Sequence, residues 1–170
     1  MNTPSSQTTY RIAVLFICTG NICRSPTAHG IFEGLVQEAG LAEVIKVDSA
    51  GTDAYHTGEP PDARSQEVAK LHGYDISEQR ARLLKQDDCL QFDYLIVMTD
   101  SHRLQILMRL GRSCDTKISK MLDYASDTSY KHHDVMDPYY GGENGFERVF
   151  AMIEDGCRGL LEDLRGRLTP

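Results

Sequence analysis

Cys18 and Arg24 are the residues whose types and spacing most clearly suggest chemistry. They begin and end the segment Cys18-Thr19-Gly20-Asn21-Ile22-Cys23-Arg24, and Ser25-Pro26 follows. A thiolate at Cys18 is a nucleophile, and a planar guanidinium such as that of Arg24 binds two phosphate oxygens at once. The Ser25 hydroxyl is placed to donate a hydrogen bond to the sulfur. The combination predicts nucleophilic attack on a phosphate ester, with the alternative that Cys18 is a buried structural cysteine.

The elements around this segment favour the chemical interpretation. The apolar run Ile12 to Ile17 predicts a strand buried on both faces, and Pro26 predicts the first turn of a helix. A short turn from a strand to a helix N-terminus directs backbone N–H groups into a concavity that suits a phosphate. Gly20 and Asn21 both tolerate the positive φ that such a turn requires.

Strand and helix patterns alternate along the rest of the chain. Further strands are predicted at 44–48, 92–98 and, more weakly, 116–121, and helices at 26–39, 63–72, 101–110 and 146–164, the last weakened by Gly156 and Gly159. This alternation indicates a single doubly wound α/β domain, with a central four-stranded parallel sheet flanked by helices. Ligands of such sheets bind beyond the carboxyl ends of the strands, where Cys18 falls. We expect a disordered tail over residues 1–9 and the domain over 10–168.

Composition limits the classes of function. The net charge of −7 argues against a nucleic-acid partner, and residues 1–10 carry no apolar leader. The apolar run at 12–17 is too short to cross a membrane. Five cysteines, scattered and odd in number, indicate a reducing, cytoplasmic location and reactive thiols rather than disulfides. Cys89, Cys114 and Cys157 are therefore expected to be small buried apolar residues. Neither a metal nor another cofactor is predicted.

Residues 18–26 match the signature Cys-x-Gly-Asn-Ile-Cys-Arg-Ser-Pro of the low-molecular-weight protein tyrosine phosphatase family at every fixed position. The segments 48–52, 58–62 and 137–141 resemble that family's segment after the second strand, the loop before its next helix and its general-acid loop. The resemblance covers about residues 10–165. It implies hydrolysis of phosphotyrosine in proteins.

The resemblance also implies a role for each matching residue. Cys18 would carry the phosphoryl group, Arg24 and the loop amides would bind its oxygens, and Asp137 would act as general acid and base. Asn21 and Ser49 would brace the loop, while Tyr55, Tyr139 and Tyr140 would form the pocket walls. Tyr139 and Tyr140 resemble tyrosines that are phosphorylated in family members. Cys23 resembles a resolving cysteine that captures oxidised Cys18 as a disulfide; the alternative is that it packs as a small apolar residue.

The sequence departs from the family's pattern at three positions. Gln79 stands where the family commonly has His, Thr99 where it often has Asp, and Tyr55 where it often has Trp. These departures affect the expected specificity and pH profile.

Two rival functions remain. A thioredoxin-coupled arsenate reductase would need two further cysteines a few residues apart, and no cysteine neighbours Cys89 in sequence. A catalytically weak phosphotyrosine-binding module would lack the nucleophile or the acid, yet both are present.

Overall fold

The apolar run from Ile12 forms the central part of a four-stranded sheet in the computed structural model, which describes residues 9–169. The expected tail at 1–9 therefore lies, apart from Thr9, outside the described residues. The strands are β1 (Ile12–Cys18), β2 (Ile45–Gly51), β3 (Tyr94–Val97) and β4 (Ile118–Lys120). They are all parallel, in the order β2-β1-β3-β4. The predicted parallel sheet is thus confirmed.

Helices cover both faces of the sheet. They are α1 (Arg24–Glu38), α2 (Ala63–Leu71), α3 (Asp88–Gln91), α4 (Asp100–Leu110) and α5 (Gly145–Leu168), and short 3₁₀ helices span Arg112–Lys117, Met121–Tyr124 and Pro138–Tyr140. Every residue of β1 is buried, because Val14 and Phe16 pack against α1 and α5 while Leu15 and Ile17 pack against α4. Two cores on opposite faces explain why the strand reads as a continuous apolar run.

Helix α5 is continuous, although two glycines in its middle made that uncertain from the sequence. The reason is a close approach to the 3₁₀ helix at Met121–Tyr124. A Cβ atom at position 159 would lie 1.8 Å from the Tyr124 carbonyl oxygen. The lower helix propensity of Gly159 is therefore offset by packing that no larger residue permits.

Cys89 and Cys114 form a disulfide, so the prediction that they are separate apolar residues and that the chain lacks disulfides was wrong. They are 25 residues apart in sequence, but α3 and the 3₁₀ helix at Arg112–Lys117 bring their Cα atoms to 5.6 Å, a normal disulfide separation. Cys157 is a free, fully buried cysteine, as expected. No helix within residues 9–169 has the length and apolarity required to cross a membrane.

The register of β1 and β2 places the functional segment. Cys18 pairs with Gly51, so both strands end together and their following loops run side by side. The amides of Thr52 and Asp53 donate to the carbonyls of Cys18 and Thr19 at 2.9 and 3.0 Å. Gly51 is required here, since a Cβ atom would lie 2.6 Å from the Thr19 oxygen.

Candidate active site

The loop of residues 18–24, here called the phosphate loop, turns from β1 into α1 through one left-handed residue. Of the two residues that tolerate a positive φ, Asn21 adopts it, with φ of 57°, whereas Gly20 does not. Asn21 is 3 % exposed and takes this conformation because its side chain is fully used. The side-chain amide donates to Ser25 Oγ and Ser49 Oγ, and its oxygen accepts from the Arg82 amide at 3.0 Å. These contacts hold the turn.

The sulfur of Cys18 lies at the base of the site and 2.9 Å from Ser25 Oγ. Cys18 is 2 % exposed and Ser25 is completely buried. Asn21 already donates to Ser25 Oγ at 2.8 Å. The Ser25 hydroxyl hydrogen is therefore available to the sulfur, its other contact being a long 3.5 Å approach to the Ala50 carbonyl.

A histidine contacts Ser49, which supports Asn21 of the phosphate loop, but this histidine is not at the position that the family pattern suggests. Gln79 Nε2 donates to the Pro26 carbonyl at 3.0 Å, while its Oε1 is buried without a partner among the described residues. His29 lies one helical turn after Ser25, and its Nδ1 is 3.1 Å from Ser49 Oγ. A histidine is thus present beside Ser49 even though position 79 is Gln.

Arg24 is 5 % exposed and begins α1. Its Nη1 donates to the Val135 carbonyl at 3.0 Å, and its Nη2 approaches Thr19 Oγ1 at 3.4 Å. The first turn of α1 has neither a side-chain cap nor an acidic residue. Its N–H groups and the Arg24 charge therefore make a site for an anion.

Asp137 faces the phosphate loop from the segment 135–141, here called the acid loop. Its Oδ1 accepts from the Tyr139 amide at 3.0 Å, so the carboxylate caps the 3₁₀ helix Pro138–Tyr140. The acid loop and the phosphate loop enclose a cavity of about 210 Å³. It is lined by Cys18, Thr19, Gly20, Ile22, Cys23, Arg24, Asp53, Tyr55, His56, Asp62, Arg64, Asp137, Tyr139 and Tyr140. The predicted residues Ser25, Asn21 and Ser49 lie outside this lining.

The three predicted wall residues form an aromatic rim that is open to solvent. Tyr55, Tyr139 and Tyr140 are 86 %, 64 % and 83 % exposed. Arg64 lies over the Tyr139 ring at 5.4 Å and over the Phe146 ring at 4.5 Å, and also pairs with Asp62. The rim therefore carries both apolar and charged groups.

Cys23 lines the same cavity but differs from Cys18 in its surroundings. Burial, with a smaller contribution from the Asp62 carboxylate, raises the pKa of Cys23 to about 12. The Cys23 side chain is thus a neutral thiol at neutral pH, and its role as a resolving cysteine stays a prediction.

Sequence reasoning missed several neighbours of the site. His29 was detectable, because residues four apart share a helix face and Ser25 was already a candidate. Arg64 follows the family-like loop at 58–62, but no spacing signalled that it would stack on Tyr139. His56 and His102 carry no local signal at all. The family-like Asp at position 99 is replaced by Thr99, which caps α4 by accepting from the His102 amide at 3.2 Å.

These groups could transfer a phosphoryl group, since a nucleophile, a buried cation and a carboxylate line one cavity. Residues 13–168 match the family described as low molecular weight phosphotyrosine protein phosphatase. The chain belongs to the low-molecular-weight protein tyrosine phosphatase family, whose curated members are protein tyrosine phosphatases.

The arsenate reductase alternative requires a further cysteine beside Cys89, and Cys114 is bonded to it. This pair, however, packs in the core on the opposite face of the sheet from the core that contains Cys18.

Relatives cover almost the whole chain. A putative low molecular weight protein-tyrosine-phosphatase, slr0328, from Synechocystis is 40 % identical over 157 residues, which are 92 % of this chain and 98 % of that protein. The crystal structure of YfkJ from Bacillus subtilis has a TM-score of 0.87 at 37 % identity, covering 95 % and 99 % of the two chains. The YwlE arginine phosphatase of Bacillus subtilis, solved as a mutant with a phosphorylated active-site serine, has a TM-score of 0.79 at 26 % identity, covering 91 % and 96 %.

Proposed function

We propose that the protein hydrolyses phosphotyrosine in other proteins through a phosphoryl group carried on Cys18. The observation that carries the proposal is that Cys18, Arg24 and Asp137 line one cavity of about 210 Å³. In the first step the Cys18 thiolate attacks phosphorus, so an S–P bond forms and the P–O bond to tyrosine breaks. Asp137 gives its proton to the departing phenolate. Arg24 and the amides at the start of α1 hold the phosphoryl oxygens.

The second step releases phosphate. Asp137, now a carboxylate, takes a proton from water as the water oxygen attacks phosphorus. The S–P bond breaks, and Cys18 leaves as a thiolate that accepts the Ser25 hydroxyl hydrogen bond. Arg24 and the amides supply the positive charge that stabilises the phosphoryl oxygens, so neither step of the scheme involves a metal or a cofactor.

The rim favours a flat aromatic leaving group. Tyr55, Tyr139 and Tyr140 present ring faces and edges at the mouth, and Ile22 adds an apolar side chain to the lining. A phosphotyrosine ring entering between them would place its phosphate at the loop. Because the Arg64 guanidinium and the carboxylates of Asp53 and Asp62 share this rim, sequences flanking the phosphotyrosine would be discriminated by charge.

The test measures phosphate release at neutral pH from peptides that carry phosphotyrosine, phosphoserine or phosphoarginine. Rapid acid quenching of the enzyme with the phosphotyrosine peptide, followed by mass spectrometry, then locates the phosphoryl group on the enzyme. We expect phosphotyrosine to be turned over fastest and a phosphoryl group to be found on Cys18. Cys18→Ser should lose turnover, whereas Cys157→Ala, which alters a buried cysteine of α5, should retain it. Turnover that persists in Cys18→Ser, or a preference for phosphoarginine, contradicts the proposal. Arsenate reduction is measured in parallel, and its occurrence would favour the reductase.

A further inference from the structure

His102 is a buried histidine that the proposed chemistry does not use. It lies in the first turn of α4 and is 3 % exposed. Its Nε2 is 2.9 Å from Thr19 Oγ1, in the phosphate loop 83 residues earlier. Its Nδ1 is buried and has no hydrogen-bond partner among the described residues.

The hydrogen bonds of Thr19 Oγ1 favour one of the two neutral forms of His102. Arg24 Nη2 also contacts this oxygen, and a guanidinium donates but never accepts. Thr19 therefore accepts from Arg24 and keeps its own hydrogen to donate. A His102 ring protonated on Nδ1 offers the Nε2 lone pair to that hydrogen. This form leaves the Nδ1–H without a contact that the structure shows, whereas the opposite tautomer would leave both the Thr19 hydrogen and the Nδ1 lone pair without one.

The orientation of Arg24 depends on these neutral partners. Within the part of the chain that the structure describes, Arg24 takes part in no ion pair. Its side chain donates two hydrogen bonds, to the Val135 carbonyl and to Thr19 Oγ1. The Val135 contact fixes one end of the guanidinium plane. The Thr19 contact fixes the other end, provided that its lone pair points toward Nη2. His102 determines where that lone pair points, because it accepts the hydrogen on the same oxygen.

We propose that His102 is a positioning residue that acts through Thr19: as a neutral, Nδ1-protonated acceptor it orients the Thr19 hydroxyl, which in turn holds Arg24 in the plane that binds the phosphoryl oxygens. The proposal rests on the proposed function for the anion that Arg24 binds. It assigns His102 no contact with substrate.

The first test measures binding of inorganic phosphate by calorimetry in wild type, His102→Leu and His102→Gln. Leu removes the acceptor, and we expect affinity to fall about tenfold because the bond to a charged group is no longer supported. Gln places an amide oxygen near the position of Nε2 and should remain within about threefold of wild type. Ile106→Val, a buried change one turn further along the same face of α4, is the control for packing, and thermal unfolding is recorded for every variant. Equal losses in Leu and Gln, or no loss in Leu, would overturn the proposal.

The second test is a double-mutant cycle with Thr19→Val. If one chain of contacts runs from His102 through Thr19 to Arg24, the double variant binds phosphate no more weakly than the poorer single variant. Additive losses would show that the two residues act separately. Nitrogen NMR of labelled histidine in the wild-type protein provides a readout that needs no variant: a proton on Nδ1 supports the proposal, and a proton on Nε2 contradicts it.

These measurements are independent of turnover. If the double-mutant cycle for phosphate binding is non-additive but wild type does not hydrolyse phosphotyrosine, the proposed function is refuted and the role of His102 stands. If wild type hydrolyses phosphotyrosine but the two variants weaken phosphate binding additively, the proposed function stands and the role of His102 is refuted.

Discussion

The Ser25 hydroxyl oxygen lies 2.9 Å from the Cys18 sulfur and accepts a hydrogen bond from Asn21, which leaves its hydrogen available to the sulfur. Loss of this donor would make the thiolate a poorer leaving group from phosphorus. We expect Ser25→Ala to lower kcat by about 10- to 10²-fold, the cost of one hydrogen bond to a charged group. The phosphorylated enzyme should accumulate and appear as a burst of tyrosine in stopped-flow measurements. Ser119→Ala, outside the site, is the control; a slower reaction without a burst would argue against this role.

Asp137 is held as the cap of the 3₁₀ helix at Pro138–Tyr140, with its carboxyl group at the cavity. Asp137→Asn should lower the rate on phosphotyrosine by about 10²–10⁴-fold, since an amide cannot give up a proton. The loss should shrink for aryl phosphates whose leaving groups are weak bases, because these need no proton. A series of substituted phenyl phosphates measures this, and an equal loss across the series would mean that Asp137 only holds the loop.

Cys23 lies on the phosphate loop, and its pKa is raised to about 12 by burial and by Asp62. A raised thiol pKa means that the attacking thiolate is scarce at neutral pH and increases as pH rises. After peroxide converts Cys18 to sulfenic acid, we expect disulfide formation to accelerate about tenfold per pH unit between about pH 7 and pH 9.

Alkylation quenching with mass spectrometry follows this reaction, and dithiothreitol then restores activity. In Cys23→Ser we expect little recovery and further oxidation of Cys18. Equal recovery in both proteins would leave Cys23 as a packing residue.

His102 also links folding to pH. Burial, and secondarily the Arg24 charge, lowers the pKa of His102 to about 4, against smaller opposite effects of Asp134 and Asp137. The unfolded chain takes up this proton at about pH 6.5, while the folded chain takes it up only near pH 4. The free energy of unfolding should therefore fall by about 3 kcal/mol between these two values as pH decreases.

Urea unfolding across this interval measures the effect. In His102→Gln the pH dependence should be weaker by that amount, and His133→Gln, which changes an exposed histidine, is the control for loss of a histidine. If the free energy of unfolding changes with pH equally in wild type and His102→Gln, His102 is not the group responsible for this pH dependence.

The Cys89–Cys114 disulfide closes a loop of 25 residues. Its reduction should lower the free energy of unfolding by about 2–4 kcal/mol, mainly because the unfolded chain is less restricted. Alkylation of the denatured, unreduced protein should label three of the five cysteines, namely Cys18, Cys23 and Cys157. Labelling of all five, or identical urea curves with and without reductant, would show that the pair is not bonded in solution.

The local parts of the site were predictable from sequence. The strand, turn and helix around Cys18 are contiguous in sequence. The apolar run predicted the strand, the residues that tolerate a positive φ predicted the turn, and Pro26 predicted the helix. The boundaries moved for local reasons: α1 begins at Arg24 because proline is tolerated throughout the first turn. Strand β2 continues to Gly51 because β1 pairs with it as far as Cys18.

The remaining parts depend on contacts between distant residues. The Thr19–His102 bond joins residues 83 apart, and nothing near His102 in sequence indicates a partner. Cys89 and Cys114 likewise meet only once β3 and β4 are paired. Gly159 was read as a helix weakness because its reason, the Tyr124 carbonyl, lies on another element. Local patterns contain none of this information.

The acid loop is anchored at both ends, and this bears on the time course of a catalytic cycle. The Val135 amide donates to the Met98 carbonyl at 2.8 Å, and Arg148 donates to the Gly141 carbonyl. Between them, the Tyr139 ring packs under Arg64. Because these contacts hold the segment at three points, we expect substrate to enter past the exposed tyrosine rings without lid-like opening of the loop. Microsecond-to-millisecond loop opening, which limits turnover in many lidded enzymes, would then not be the slow step, and we expect solvent viscosity to have little influence on kcat.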